Sequence, residues 1–357
     1  MIHFFPFYDA DFSCTPLGVA LRAQGVESKF FAYTINRRHK TRFQLIVFLW
    51  PKLIFASFLT GIQSLAQSRK PHLMVADTHF QALIFRLLLK VFFNKHTKIL
   101  LMGFIYNIRD DKFIESIRKA YGTVALKCCD LVVCHSHEEI TNYARYFKLP
   151  TYRFSFMAWA STVHLVGSAM PSPSARPFIF SAGRSWRDYN ILIDAVKGLD
   201  IELRIACDSL SVLPDVDYPE NVVVLRDCYA ESYHQHLAHS IFCVLPLNAS
   251  TISAGQMVLI DAYAYSRAVV CTDTVTVRDY LADGVSGVLV AMKNVDSMRA
   301  AIVRLLNDPP FTAALGQSAH EFYKANFTDD AKVKSLARLL DQLSVQTQYP
   351  SGSSSSE

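Results

Sequence analysis

Two arginines and a glycine that opens a helix carry the clearest chemistry in this 357-residue sequence. In FSAGRSWRDYNILIDAV, residues 180–196, an apolar run ends at Gly183, and Arg184 and Arg187 flank the turn into a helix. Two guanidiniums at the mouth of a sheet can hold a diphosphate through charge-assisted bidentate hydrogen bonds. The plainer alternative pairs them with carboxylates such as Asp188. In LPLNASTISAGQMVLIDAYAYSRAVVCTD, residues 245–273, a second apolar run ends at Pro246. A loop of small polar residues follows, and a helix opens near Gln256. Gly255 permits close backbone approach, and the helix start offers N–H groups to an anion. Asp261, just inside that helix, can accept hydrogen bonds from a ribose. Ser253 and Gln256 also fit an S-x-x-Q capping box, which would make both of them helix caps. The segment DYLADGVSGVLV, residues 279–290, reads as an ordinary turn into a strand.

The first half supplies the candidates for a second substrate. Tyr8 and Asp9 follow the first apolar run, Asp77 and His79 the third, and Arg109 the fourth. A histidine in a strand-to-helix turn also serves as plain structure. Charge divides the chain. Residues 1–160 carry 21 Lys and Arg against 10 Asp and Glu, whereas residues 161–357 carry 15 against 21. A basic half suits an anionic membrane surface or nucleic acid, or is simply solvated. No nucleic-acid-binding module is visible, so nucleic acid is not an expected partner.

These residues need elements to place them. Apolar runs of strand length occur at 1–6, 28–33, 72–77, 98–104 and 131–136, and again at 178–183, 202–207, 222–226, 242–246, 268–273 and 287–290. Helix-length segments alternate with them, at 15–24, 43–68, 80–93, 110–127 and 137–147, and then at 187–197, 232–239, 256–266, 295–306 and 311–325. That alternation predicts βαβ units and parallel sheets buried on both faces. GSAMPSPSARP, residues 167–177, is rich in Pro and Ser and reads as a linker. The expected organisation is two doubly wound α/β domains, 1–166 and 178–327, a final amphipathic helix at about 328–345, and a tail at 346–357.

Several chemistries are disfavoured. There is no G-x-G, P-loop, H-E-x-x-H or G-x-S-x-G motif. The eight cysteines include no C-x-x-C pair, and most sit in apolar runs, as reduced core residues of a cytosolic protein do. No metal and no cofactor is expected. The N-terminus MIHFFPF lacks the pattern of a signal peptide.

The order of motifs is informative as a whole. G-R-x-x-R-D-Y-x-x-L-I-x-A, V-L-P-L, S-A-G-Q-M-V-L-I-D-A-Y-A, A-V-V-C-T and R-D-Y-L-A-D-G-V-S-G-V-L-V resemble the C-terminal domain of GT-B-fold glycosyltransferases. They are most similar to the large retaining family 4, over roughly 178–327. The resemblance implies two Rossmann-like domains facing a central cleft. It also implies metal-independent transfer of a sugar, with retention, from a nucleotide-diphosphate sugar to a hydroxyl acceptor. By the same resemblance Asp261 binds the donor ribose, and Gly255, Gln256 and Met257 offer N–H groups to the diphosphate. Arg184 and Arg187 neutralise it, Gly183 makes the turn, and the loop at Arg226 and Asp227 holds the base. The family places two glutamates where this chain has Ser253 and Asp261, so the contact to the donor sugar is altered. Where the family commonly has a histidine, this chain has Gly103 and Phe104, and His79 is the candidate substitute. A nucleotide-sugar-binding protein without transferase activity, or an epimerase on the same fold, are the alternatives.

Two apolar segments bear on location. Residues 43–66 contain one charge, Lys52. By hydropathy this stretch is long enough to span a bilayer, but its position between two strands of one sheet predicts a packed helix. ALIFRLLLKVFF, residues 82–93, carries Arg86 and Lys90 and reads either as a buried helix or as a face resting on an anionic leaflet. The expected location is cytoplasmic and peripheral on the inner membrane face, with a lipid-linked or polysaccharide precursor as acceptor.

Overall fold

The computed structural model describes residues 1–5, 16–23, 25–33, 49–67, 71–159, 161, 163, 176–183, 185–207, 213, 217–228, 230–248 and 251–348. Tyr8, Asp9, Arg184 and most of the expected linker lie outside them. The chain forms two units, Met1–Met157 with Val333–Glu357, and Ala158–Lys332.

The first unit is built on β1 (Ile2–Phe4), β2 (Ser28–Phe30), β3 (Leu73–Ala76), β4 (Lys98–Leu101), β5 (Leu131–Cys134) and β6 (Phe154–Phe156). All pair in parallel, in the order β2-β1-β3-β4-β5-β6. The register sets Ile2 between Ser28 and Leu73, and Val132 opposite Phe154. The inner strands are runs of buried residues because helices cover both faces. Strand β6 is not anticipated from the sequence: three residues, Phe-Ser-Phe, are too short to register as a run. The helices are α1 (Pro16–Ala23), α2 (Trp50–Gln67), α3 (His79–Val91), α4 (Lys112–Lys127) and α5 (His137–Phe147). Helices α2 to α5 share one face, where Leu65, Phe85, Leu126 and Phe147 pack on Met74, Ile99 and Val132. Three of these four starts are fixed by local caps. Thr78 and Gln81 form a reciprocal capping box for α3, Asp111 caps α4 and Ser136 caps α5.

The second unit contains β7 (Phe178–Ala182), β8 (Glu202–Cys207), β9 (Val222–Arg226), β10 (Cys243–Leu245), β11 (Val269–Thr272) and β12 (Val288–Val290). They form one parallel sheet in the order β12-β11-β10-β7-β8-β9. The chain leaves β7 toward β8 and β9, then returns to its other side for β10 to β12. The switch point therefore lies between β7 and β10, where open α/β sheets bind ligands at the carboxyl ends of the strands. Helices α6 (Tyr189–Val196), α7 (Glu231–His239), α8 (Gln256–Ala264), α9 (Val295–Asn307) and α10 (Pro309–Asn326) pack around it. Ile179, Leu192, Leu203, Val244, Val270 and Ile302 form its core. The last helix, α11 (Asp329–Gln348), adds Val333, Leu336, Leu339 and Leu343 to the core on the other face of the first sheet, beside Leu21 of α1.

Of the apolar segment at 43–66, residues 49–66 are described. Within it the described helix α2 begins at Trp50, and it buries small residues: Ala56, Ser57, Thr60, Gly61 and Ser64. Among the described residues no helix is long and apolar enough to cross a membrane.

Candidate functional site

The carboxyl edge of the second sheet brings two turns together at the switch point. Strand β7 ends at Gly183, whose φ of +107° suits glycine. A Cβ there would lie 2.5 Å from Nη2 of Arg187, so the missing side chain is what admits the guanidinium. Arg187 Nε donates to the carbonyl of Ala182 at 2.9 Å, and Nη1 to that of Ser185 at 2.9 Å. Among the described residues Arg187 forms no pair with Asp188, the plainer alternative for it. The Asp188 carboxylate caps α6 by accepting from the N–H of Ile191. The turn is tied to the end of β10: Asp188 N–H donates to the carbonyl of Pro246 (2.8 Å), and Asn248 N–H to that of Trp186 (3.1 Å). Beneath it the Tyr189 hydroxyl donates to the carbonyl of Gly183 at 2.5 Å.

The second turn leads into α8. Its N-cap is Gly255, with φ +88° and no side-chain cap bond. The capping box read from Ser253 and Gln256 is therefore not formed, and among the described residues no side-chain cap is seen on the first turn of α8. A Cβ at Gly255 would lie 3.2 Å from Leu247 and 3.7 Å from Nη1 of Arg187. One guanidinium thus stands beside both glycine turns. Its charge reaches further in. Burial pushes the Cys243 thiol up to about 12 against the pull of Arg187. Gln256 is 3% exposed, and its Nε2 has no hydrogen-bond partner among the described residues. A buried donor at a helix start is a feature that an anion or polar ligand would satisfy. Met257 is exposed and Ser253 buried. Hydroxyls brace the loop between β10 and α8: Thr272 accepts from Leu247 N–H, and Thr276 donates to the carbonyl of Ile252.

Asp261 is 2% exposed and already engaged. Its Oδ1 accepts from the Ser161 hydroxyl at 2.7 Å and its Oδ2 from the Tyr233 hydroxyl at 3.3 Å. Neither Ser161 nor Tyr233 was legible as its partner, because 100 and 28 positions separate them from it. Arg226 and Asp227 lie at the carboxyl end of the edge strand β9, both exposed, and Asp227 is left-handed with φ +55°.

In the first unit, Asp77 and His79 follow β3 and Arg109 follows β4, so all three lie beyond one carboxyl edge. Asp77 and Arg109 are exposed. His79 is the first residue of α3, edge-on to Phe80 and Tyr121, and burial lowers its pKa. The loop carrying Arg109 is held by Glu115, which accepts from the backbone N–H of Arg109 and from the hydroxyls of Tyr106 and Tyr146. A second histidine at this edge went unnoticed in the sequence. His135 directly follows β5, is buried, and its Nδ1 lies 2.8 Å from the carbonyl of Met157. Its Nε2 lies 2.7 Å from where a Cβ of Gly103 would stand. The imidazole fills the room that the glycine leaves.

Arg86 is engaged within its own unit: it donates to the Asp130 carboxylate (2.5 Å) and the Cys128 carbonyl (2.9 Å). Among the described residues no group of three or more His, Cys, Asp or Glu side chains is arranged to hold a metal ion.

Comparison with known proteins agrees with this architecture. Residues 176–308 match the family model described as glycosyl transferases group 1. The structure is similar to sucrose-phosphate synthase from Thermosynechococcus elongatus, with a TM-score of 0.69 at 15% identity, covering 97% of this chain and 99% of that one. It is also similar to HepE of Anabaena in complex with UDP and glucose, with a TM-score of 0.63 at 14% identity, covering 96% and 99%. An uncharacterised glycosyltransferase of Methanocaldococcus jannaschii is 22% identical over 157 residues, which span 43% of this chain and 44% of that relative. Both units are thus those of the GT-B fold, and the second of them matches the glycosyl transferases group 1.

Proposed function

We propose that the chain is a glycosyltransferase that moves a sugar from a nucleotide-diphosphate sugar to a hydroxyl acceptor. One observation carries the reading: the Arg187 guanidinium stands beside both the Gly183 and Gly255 turns, at the switch point of the unit that matches the family. A departing nucleoside diphosphate gains negative charge as the acceptor hydroxyl attacks the anomeric carbon. Prearranged donors that meet this charge lower the barrier. Arg187, together with Arg184, supplies the positive charge, and the N–H groups of Gly255, Gln256 and Met257 the dipole end. In this reading Asp261 takes the ribose, Arg226 and Asp227 flank the base, and Ser253 faces the donor sugar. His79 acts as the catalytic histidine, and Asp77 and Arg109, with Tyr8 and Asp9, bind the acceptor. Transfer proceeds with retention and without a metal. The acceptor is a lipid-linked or polysaccharide precursor, met at the inner face of a membrane on which the protein rests peripherally. The UDP and glucose bound to the similar HepE make UDP-sugars the first donors to try.

Incubation with a panel of nucleotide sugars, with detection of free nucleoside diphosphate, tests the reading. Release from at least one donor is expected, and the Arg184→Ala/Arg187→Ala double variant should abolish it while remaining folded. A variant as active as the parent removes the assignment. The presence of Ser253, where the family has a glutamate, favours a second reading, a nucleotide-sugar-binding protein that does not transfer. Binding without release of diphosphate would identify it, and an epimerised sugar in the same panel would identify an epimerase.

A further inference from the structure

In the layer of helices on the first sheet, α2, the end of α3 and α4 send large apolar residues outward. Helix α2 packs inward through its small residues Ala56, Ser57, Thr60, Gly61 and Ser64, and exposes Trp50, Ile54, Phe55 and Phe58. Helix α4 packs inward through Glu115, Gly122, Ala125 and Leu126, and exposes Phe113, Ile114, Ile117, Tyr121 and Val124. The positions 113, 117, 121 and 124 recur once per turn, so the exposed apolar residues form one stripe along the whole helix. Between them, at the end of α3, Leu87, Val91, Phe92 and Phe93 are exposed, Phe93 at 88%. Each helix packs on the next, so their outward sides form one surface. A helical face that exposes large apolar residues while burying small ones is not optimised for water.

Within helices α2, α3 and α4 the exposed charges are cationic, while the exposed Asp110 and Asp111 stand just before α4. Lys52, Lys90, Lys95, Lys112 and Lys127 are exposed. Helices α2, α3 and α4, with the turn after α3, contain a single carboxylate, Glu115, which is buried under Tyr106 and Tyr146. We infer that the outward face of α2, the end of α3 and α4 is a docking surface for an anionic lipid bilayer, with α4 as its main inserting element. Apolar side chains that enter the acyl boundary, flanked by lysines at the headgroups, are what such a surface requires. A second copy of the chain fits less well. A two-fold interface would set this patch against itself and face lysines with lysines. The inference deepens the membrane-side location proposed above, but its test does not depend on transferase activity.

The experiment is co-sedimentation of the full chain with vesicles of phosphatidylcholine containing phosphatidylglycerol, and with phosphatidylcholine alone. The protein is expected to sediment with the anionic vesicles at low salt, to stay in solution with the neutral ones, and to be released by salt. Phe113→Ser/Ile117→Ser should weaken binding by roughly tenfold or more, given the apolar area withdrawn from the bilayer. Lys112→Gln/Lys127→Gln should weaken it by about fivefold per lysine. None of these changes touches the second unit, so the release of nucleoside diphosphate measured without vesicles should not move, and circular dichroism reports that each variant is folded. If the parent protein stays in solution with anionic vesicles at low salt, the inference falls. It falls equally if both pairs bind like the parent, or if the parent is a dimer that Phe113→Ser/Ile117→Ser converts to a monomer. A chain that binds vesicles but turns over no nucleotide sugar would instead refute the proposed function and leave the surface standing.

Discussion

The two units are the same kind of object and use their polar and apolar groups in opposite ways. Each is a six-stranded parallel sheet with one switch point, between β1 and β3 in the first and between β7 and β10 in the second. In the second unit charge is drawn inward to the carboxyl edge. Arg187 is held by main-chain carbonyls, and Asp261 is buried under two hydroxyls. In the first unit α2 keeps small residues inside, and α2, the end of α3 and α4 send large apolar ones outward. The difference teaches that topology settles where a ligand can be held, and side-chain placement settles what each unit meets. On the readings proposed above, the second unit is built to hold an anion and the first to meet a surface.

The sharpest way to break that comparison is at Arg187. Arg187→Ala removes a cation that two turns were shaped to admit, and the loss of one such charge-stabilising group lowers turnover by roughly 10²–10³. Thermal stability should change little, because the bonds lost run from an arginine to carbonyls at the edge of the sheet. Turnover equal to the parent's, in a folded variant, would mean that the second unit does not hold the leaving group. The next largest effect belongs to the first unit. In Gly103→Ala, a Cβ would stand 2.7 Å from Nε2 of His135, on a backbone with φ +74°. Both the crowding and the left-handed backbone oppose alanine, and together they should cost about 1–3 kcal/mol. Urea denaturation measures it. An unchanged midpoint would show that the imidazole is not confined by the glycine.

That pairing also marks where the sequence stops being legible. Buried parallel strands announce themselves as continuous apolar runs, so ELRIAC and VVVLR coincide with β8 and β9 residue for residue. The turns at Gly183 and Gly255 were visible because each glycine stands between an apolar run and a helix-length segment. His135 gives no such sign. It follows LVVC as any polar residue might, and its meaning comes from a glycine that the sheet brings beside it from the preceding βαβ unit. The same holds for Asp261, whose type was readable while its hydroxyl partners were not. Helix α2 marks a different limit. Periodicity reports that one side of a helix is apolar, but not that the small residues of the other side will be packed against the sheet. Hydropathy alone therefore made the segment look like a buried or spanning helix. The alternative for Arg187 failed for a local reason: Asp188 was needed at the N-terminus of α6.

Acid should affect the two units at different points. Burial, with help from Lys29 and the N-terminal ammonium, pushes His3 of β1 down to about 4, where its Nδ1 meets the Ser64 hydroxyl. The unfolded chain takes up a proton on this residue as pH falls through about 6.5. The folded chain does so only near 4, so stability is complete above 6.5 and declines toward 4. In the second unit, hydrogen bonds from Arg278 hold the Asp273 carboxyl below its ordinary value. Its contribution is present above the usual carboxylate range and is lost only as pH falls below it. Melting temperature plotted against pH should therefore begin to fall between 6.5 and 4, and His3→Gln should flatten that part of the curve. If the curve of His3→Gln is superimposable on the parent's over this range, the buried neutral imidazole is not the cause.

The smallest expected effect sharpens the comparison most, because it is an effect that should be nearly absent. An isoleucine changed to serine inside a core loses both its transfer free energy and its packing. At Ile302 of α9, which is fully buried, the cost should be about 2–5 kcal/mol. Ile117 of α4 is the same residue type on the same kind of element, a helix flanking a parallel sheet, yet it is 57% exposed. Its side chain already meets water, so Ile117→Ser should move the free energy of unfolding by no more than about 0.5 kcal/mol in either direction. A chain that retained such residues for its own stability would lose several times that. Denaturation of Ile117→Ser without vesicles decides between the two. A loss above about 1.5 kcal/mol would mean that the stripe on α4 is part of the folded core's support, and the contrast between an outward-facing first unit and an inward-facing second unit would fail at its most exposed helix.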